Sequence, residues 1–106
     1  MIAVEQIEEF AQRIGEEFHP ERIFLFGSYA NGVPTRDSDV DILVVLPHNT
    51  RGHRVATQIR GRVRPPFPLD LLVRTPEEVE KRIEMGDDFI RDIVEEGRVL
   101  YEGHHG

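Results

Sequence analysis

Short apolar runs separated by amphipathic stretches constrain the fold of this chain more strongly than any other feature of its sequence. The runs at residues 22–26, 40–46 and 69–73 are rich in Ile, Leu, Val and Phe, and their length is typical of β-strands. A further short run at 98–101 predicts an edge strand. Patterns typical of helices surround these runs, at about residues 3–17, 28–32, 53–63, 76–85 and 87–96. This order predicts a small α/β or α+β domain.

The apolar faces of the predicted helices define the expected core. In the first helix, apolar residues recur every three or four positions and form one stripe: Val4, Ile7, Ala11, Ile14 and Phe18. The last helix is expected to bury Phe89, Ile90, Ile93 and Val94. All six phenylalanines are interpreted as core residues: Phe10, Phe18, Phe24, Phe26, Phe67 and Phe89. Thr75 and Glu78 have the spacing of a capping box at the start of the helix at 76–85.

The length of 106 residues favours a single domain over residues 1–106, with a short disordered tail at about 103–106. Cysteine is absent, which excludes disulfides, zinc–thiolate sites, iron–sulfur clusters and cysteine nucleophiles. No apolar run approaches the roughly 20 residues that a membrane-spanning helix needs, and the N-terminus lacks the pattern of a secretory signal. These observations predict a cytoplasmic protein that does not engage a membrane.

The formal net charge of −7 is unevenly distributed along the chain. An acidic total argues against strong, non-specific nucleic-acid binding, which needs a broad basic surface. One basic segment nevertheless stands out, and it contains Arg51, His53, Arg54, Arg60, Arg62 and Arg64. This segment is interpreted as a solvated helix face, with a contact for the nucleotide's phosphates, an acidic partner or an RNA end as the alternative.

Two acidic residues, Asp39 and Asp41, stand at the start of the second predicted strand. Side chains at positions i and i+2 of a strand share one face, so these two carboxylates would repel each other unless a cation lies between them. Oxygen ligands suit a hard divalent cation, and magnesium is the usual one where phosphates complete the shell. The alternative is that Asp39 ends a loop and Asp41 faces solvent.

Asp70 and the Gly27-Ser28 pair add to this pattern. Asp70 interrupts the apolar run of the third strand and would need a partner or a metal if it were buried. It joins Asp39 and Asp41 if the second and third strands are neighbours, and a solvent-facing position is the alternative. Gly27 and Ser28 follow the first strand and open a helical turn, an arrangement that suits a phosphate group.

Together these residues resemble a known family. The stretch FGSYANGVPTRDSDVDILV has the order Gly-Ser, ten residues, Asp-x-Asp, and Asp70 follows on the next strand. This pattern resembles the nucleotidyltransferase superfamily that includes DNA polymerase beta. More narrowly, it is similar to the minimal nucleotidyltransferases, or MNT-domain proteins, and the resemblance covers roughly residues 5–101.

The resemblance implies a fold and a site. The fold would be a small mixed β-sheet flanked by helices, with the active site on one sheet face. Gly27 and Ser28 would hold the triphosphate of a nucleotide, and Asp39 and Asp41 would hold two magnesium ions. Asp70 would ligate one ion and help to remove the proton from the attacking hydroxyl. Many relatives carry arginine where this chain has Asn31, which puts the strength of nucleotide binding in doubt.

The resemblance also implies a function. At 106 residues the chain is expected to have no room for an acceptor-binding domain, so the acceptor would be brought by another protein or be a surface on another protein. Many minimal nucleotidyltransferases resemble antitoxins that transfer AMP from ATP to a tyrosine of a helical HEPN-type toxin, releasing pyrophosphate. We therefore predict such a protein adenylyltransferase. Two alternatives stay open: a catalytically weak module that neutralises a helical partner by contact, and a small-molecule nucleotidyltransferase that acts as a homo-oligomer.

Overall fold

The computed structural model describes residues 1–103 as four strands joined by helices on both sides. Each predicted helix and strand is present, and its ends differ from the prediction by at most one residue. The elements are α1 (Val4–Phe18), β1 (Arg22–Phe26), α2 (Gly27–Asn31), β2 (Val40–Val45), α3 (Gly52–Arg62), β3 (Leu69–Arg74), α4 (Pro76–Glu84), α5 (Asp88–Glu96) and β4 (Arg98–Glu102). Of the predicted tail at 103–106, residues 104–106 lie outside the described residues.

The strands form one mixed sheet in the order β3-β2-β1-β4. β1 pairs antiparallel with both β2 and β4, whereas β2 and β3 run parallel. The parallel pairing places α3 as the crossover between β2 and β3, because parallel neighbours cannot be joined by a tight turn. This mixed sheet flanked by helices confirms the predicted fold class.

The two faces of the sheet are covered by different helices. On one face, α1 and α3 bury a cluster that includes Ile23, Leu25 and Ile42. On the other face, α4 and α5 bury a smaller cluster around Phe24 and Leu43. Alternation along each strand sends successive side chains to opposite faces. Phe26, Asp41 and Asp70 therefore belong to the face that α4 and α5 cover.

The prediction that all six phenylalanines lie in the core is wrong for Phe89. Its side chain is 55% exposed, whereas Phe10, Phe24 and Phe67 are buried and the other two are half-buried. Phe89 lies in the first turn of α5, where the neighbouring Ile90 takes the position that faces the sheet. The Phe89 ring meets Phe26 edge-on, with 5.6 Å between ring centroids, and the rest of it faces outward.

None of the helices within residues 1–103 combines the length and the apolar character that crossing a bilayer requires.

The start of α4 is held by the capping box that its sequence predicts. The Thr75 hydroxyl oxygen accepts a hydrogen bond from the Glu78 amide at 3.0 Å, and the Glu78 carboxylate accepts one from the Thr75 amide at 2.8 Å. The backbone hydrogen bond from Thr75 is the main reason why the pKa of Glu78 lies below its ordinary value of 4.5. A carboxyl with a lowered pKa stabilises the fold above its ordinary pKa and loses that contribution as the pH falls through its folded value.

We expect Thr75→Ala to lower the free energy of unfolding by about 1 kcal/mol at pH 7, because one cap is lost. Glu78→Gln should also be destabilising at pH 7, and its difference from the unmodified protein should shrink as the pH falls below 4.5. Urea denaturation at pH 7 and at pH 3.5 measures both effects. Glu77→Gln is the matched control, since Glu77 accepts no hydrogen bond within residues 1–103. A Glu77 variant with the same pH dependence would contradict this explanation.

Gly61 offers a simple gain in stability. It lies within α3, its φ is not in the left-handed region, and a Cβ at this position would meet nothing within 4 Å. Glycine inside a helix is destabilising relative to alanine, because it loses more backbone freedom on folding. We expect Gly61→Ala to raise the free energy of unfolding by about 0.5–1 kcal/mol in urea denaturation. A loss of stability would contradict this expectation.

Candidate active site

Two of the predicted carboxylates meet at one end of the parallel strands. Asp41 of β2 and Asp70 of β3 occupy the same register position, so their side chains point to the same face from adjacent strands. Neighbouring strands lie about 4.8 Å apart, which brings the two carboxylates into electrostatic contact. Asp39 precedes the first residue of β2 and is exposed. Parallel neighbours begin at the same end of the sheet. All three acids therefore lie at the end where β2 and β3 begin.

The pKa of Asp41 shows that the acids act on one another. It is raised above its ordinary value of 3.8, first by burial and then by the negative charges of Asp70 and Asp39. Asp41 is half-buried, whereas the other two acids are exposed. Burial and like charge both disfavour an ionised carboxylate, so the arrangement would be relieved by a cation.

Gly27 lies directly against this cluster. It is the first residue of α2, and its φ of +73° lies in the left-handed region that favours glycine. A Cβ added at Gly27 would collide with Oδ2 of Asp41. The antiparallel register gives the reason, because Phe26, the residue before Gly27, is paired with Asp41. Glycine is therefore favoured at this position by its backbone conformation, and a side chain here would force the Asp41 carboxylate or α2 to move.

Short-range contacts fix α2 in place beside the acids. Its carboxyl end closes at Gly32, which has a φ of +77° and whose amide donates to the carbonyl of Ser28. The Tyr29 hydroxyl oxygen accepts a hydrogen bond from the Ile2 amide at 3.2 Å, so α2 is also tied to the chain segment before α1. Ser28 itself is half-buried, directly after Gly27. The structure thus places both members of the predicted phosphate-binding pair beside the acids, at the end of the sheet where β2 and β3 begin.

The acids fit magnesium in a particular way. Within residues 1–103, no three His, Asp or Glu side chains are arranged as a ready metal-binding group. Magnesium, however, is typically held by one or two carboxylates, with substrate phosphates and water completing its shell. The close pair Asp41 and Asp70, with the raised pKa of Asp41, matches this donor set. These residues therefore suit a cation that arrives together with a phosphate-bearing substrate.

The basic segment has more structural roles than the sequence indicates. Arg60 donates a hydrogen bond at 2.6 Å to the carbonyl of Leu69, the residue before Asp70, on the open edge of the sheet. Arg62 pairs with Glu17 at 3.5 Å and lies over the ring of Phe18. These contacts agree with an exposed helix face. The hydrogen bond between Arg60 and the residue before Asp70 could not be predicted from the sequence, because the spacing of these residues along the chain carries no sign of it.

Comparisons with known proteins indicate the family to which this chain belongs. The sequence profile of the family described as nucleotidyltransferase domain matches residues 5–101. A protein of Methanocaldococcus jannaschii with the name "Putative protein adenylyltransferase" is 32% identical over 97 residues, which cover 90% of this chain and 94% of that protein. The crystal structure of a "putative nucleotidyltransferase" from Sulfolobus solfataricus matches with a TM-score of 0.64. That match covers 96% of this chain and 82% of the other at 20% identity, so it shows the fold alone.

The two protein matches each span most of both chains, and the profile match over residues 5–101 includes all five positions predicted for the site. The family assignment rests on the profile match and on the archaeal relative, and the shared fold agrees with it. We conclude that this chain belongs to the nucleotidyltransferase domain family.

Proposed function

We propose that this protein is a magnesium-dependent nucleotidyltransferase that transfers AMP from ATP to a hydroxyl group of a partner protein. The observation that carries the proposal is the pairing of Asp41 with Asp70 beside the Gly27 turn. The family supports nucleotidyl transfer, and the name of the archaeal relative supports a protein as the acceptor. Two neighbouring carboxylates can bind the cation of a phosphate-bearing substrate, and a glycine beside them lets the backbone approach the phosphates closely.

Each site residue has a proposed task. Gly27 allows the chain to approach the triphosphate closely, and the Ser28 hydroxyl donates a hydrogen bond to it. Asp39, Asp41 and Asp70 would hold magnesium, which would neutralise phosphate charge and activate the attacking oxygen. The acceptor oxygen bonds to the α-phosphorus while the bond to pyrophosphate breaks. Its proton passes to the Asp70 carboxylate, which is exposed and therefore open to an incoming acceptor.

The acceptor that we propose is a tyrosine of a HEPN-type toxin, which makes this protein an antitoxin. This finer assignment rests on the resemblance to minimal nucleotidyltransferases, and the relative's name agrees with a protein acceptor. Transfer of AMP would add a negative charge and a bulky group to the tyrosine. Such a change is large enough to block an RNA-binding surface by charge repulsion.

Intact-mass spectrometry tests the proposal. A HEPN-type protein is incubated with this chain, ATP and magnesium. We expect a gain of one or more AMP units, which should be lost with Asp41→Asn and retained with Asp37→Asn. Asp37 is the matched control because it is an exposed acid of the preceding loop. No gain in mass with any nucleoside triphosphate would contradict transfer to this acceptor.

One observation favours a second function, namely neutralisation by contact alone. Asn31 is exposed on α2 and brings no positive charge to the turn at Gly27 and Ser28. The resemblance to minimal nucleotidyltransferases implies an arginine at this position. A partner that remains unmodified but binds tightly, and is still neutralised by Asp41→Asn, would establish this function in place of transfer.

A further inference from the structure

A groove of about 270 Å³ lies between α2 and α5, next to the candidate active site. Gly27, which lies directly against the Asp41 carboxylate, is one of the residues that line it. Asn31 of α2 lines one wall, and Phe89, Asp92 and Glu96 of α5 line the other. A molecule lying in this groove would therefore reach Gly27, the first residue of the proposed phosphate-binding pair Gly27 and Ser28.

The α5 wall of the groove carries negative charge without a partner. Asp92 and Glu96 are exposed and one helical turn apart, and neither makes an ion pair within residues 1–103. Asp88 of the same helix, by contrast, is paired with Arg91 at 2.7 Å. Like charges four residues apart destabilise a helix. Positive charge supplied by another molecule would relieve the repulsion between Asp92 and Glu96.

The same wall exposes an aromatic ring. Phe89 lies one turn before Asp92, and its side chain is 55% exposed. Phe26 supports the ring from beneath by the edge-on contact at 5.6 Å, so the ring is held in place while its outer surface stays open. A fixed, exposed aromatic beside charged groups is typical of residues that anchor a protein partner.

The proposed reaction has two substrates, ATP and an acceptor polypeptide. The negative charge of the groove favours the polypeptide as the one that binds there. The phosphates of ATP would be repelled by Asp92 and Glu96, because like charges at short range are unfavourable. A polypeptide with lysine or arginine beside its hydroxyl residue would gain contacts with both carboxylates and with Phe89.

We propose that the groove between α2 and α5 is the docking site for the acceptor polypeptide, and that it selects a basic segment next to the hydroxyl residue to be modified. This inference rests on the proposed function, since it presumes a protein acceptor. It adds the chemistry by which that acceptor is recognised: positive side chains on Asp92 and Glu96, and an apolar or aromatic side chain on Phe89.

The test is a binding measurement without nucleotide or magnesium, so its result is independent of transfer. The probe is the blocked peptide Lys-Lys-Tyr-Lys-Lys, with Glu-Glu-Tyr-Glu-Glu for comparison, titrated by calorimetry at low salt. The groove variant is Asp92→Lys with Glu96→Lys. The matched control is Glu84→Lys with Glu95→Lys, at exposed positions outside the groove. Each pair changes the net charge from −7 to −3, because each substitution adds two positive charges.

We expect the basic peptide to bind more tightly than the acidic one, the groove variant to lose about tenfold in affinity and the control less than about twofold. Phe89→Ala should weaken binding several-fold without any change of charge. Equal losses in both lysine pairs, or no preference for the basic peptide, would overturn the proposal. In a separate titration with ATP, a loss of affinity in the groove variant would overturn the proposal too, because it would assign the groove to the nucleoside. If peptide binding behaves as expected but no AMP is transferred, the proposed function is at fault.

Discussion

Asp41→Asn is expected to lower nucleotidyl transfer by at least about 100-fold while it raises the free energy of unfolding at pH 7. A cation that stabilises charge during phosphoryl chemistry contributes several kcal/mol, and about 1.4 kcal/mol corresponds to tenfold in rate. Asparagine has nearly the same shape as aspartate but lacks the charge that attracts the cation. The loss of transfer should therefore appear without any loss of fold.

The gain in stability follows from the pKa of Asp41. Burial and the charges of Asp70 and Asp39 raise this pKa above 3.8, so the folded protein holds the proton more tightly than the unfolded chain does. Stability then falls as the pH rises from about 3.8 through the raised value, and it stays lower above that value. Asparagine does not titrate and avoids this cost.

Urea denaturation in the presence of EDTA measures the stability, and transfer of radiolabelled AMP measures the activity. The stability difference between Asp41→Asn and the unmodified protein should be largest near pH 7 and should shrink toward pH 3.8. Asp37→Asn makes the same chemical change in an exposed loop and should alter neither property. An Asp41→Asn protein that is less stable at pH 7 would show that the carboxylate is held by favourable contacts instead.

Gly27→Ala is expected to cause a comparable loss of transfer for a steric reason. Alanine in the left-handed region costs about 1–2 kcal/mol, and the added methyl group would also collide with Oδ2 of Asp41. The carboxylate would have to turn away or α2 would have to shift. A displacement of about 1 Å at a reacting centre can cost about 100-fold in rate.

Gly32→Ala is the matched control for this prediction. Gly32 has nearly the same φ, +77° against +73°, but a Cβ there would meet nothing within 4 Å. Both variants should lose about 1–2 kcal/mol of unfolding free energy from the backbone term alone. Transfer should fall strongly only in Gly27→Ala, whose stability should also be the lower of the two. Equal activities in the two variants would show that the contact with Asp41 has no role.

Much of the fold was predictable, because it depends on short-range rules. Alternation and helical periodicity predicted every element to within one residue, and the capping box at Thr75 and Glu78 formed as expected. The site residues could be singled out as well. Asp41 and Asp70 are acids inside or beside apolar strands, and Gly27 follows a strand at a turn. The roles proposed for these residues stay predictions that the variants above will test.

Local sequence patterns were enough to predict the order of the elements and the residue types that stand at the strand ends. Tertiary structure alone decided that β2 and β3 are parallel neighbours in a register that sets Asp70 beside Asp41. It also decided that Phe89 is exposed while Ile90 takes the buried position. Periodicity predicts which side of a helix or strand is apolar, but it does not predict which element packs against that side. Strand pairing and the coverage of each face depend on contacts between residues far apart in the chain, and only the folded sheet brings those together.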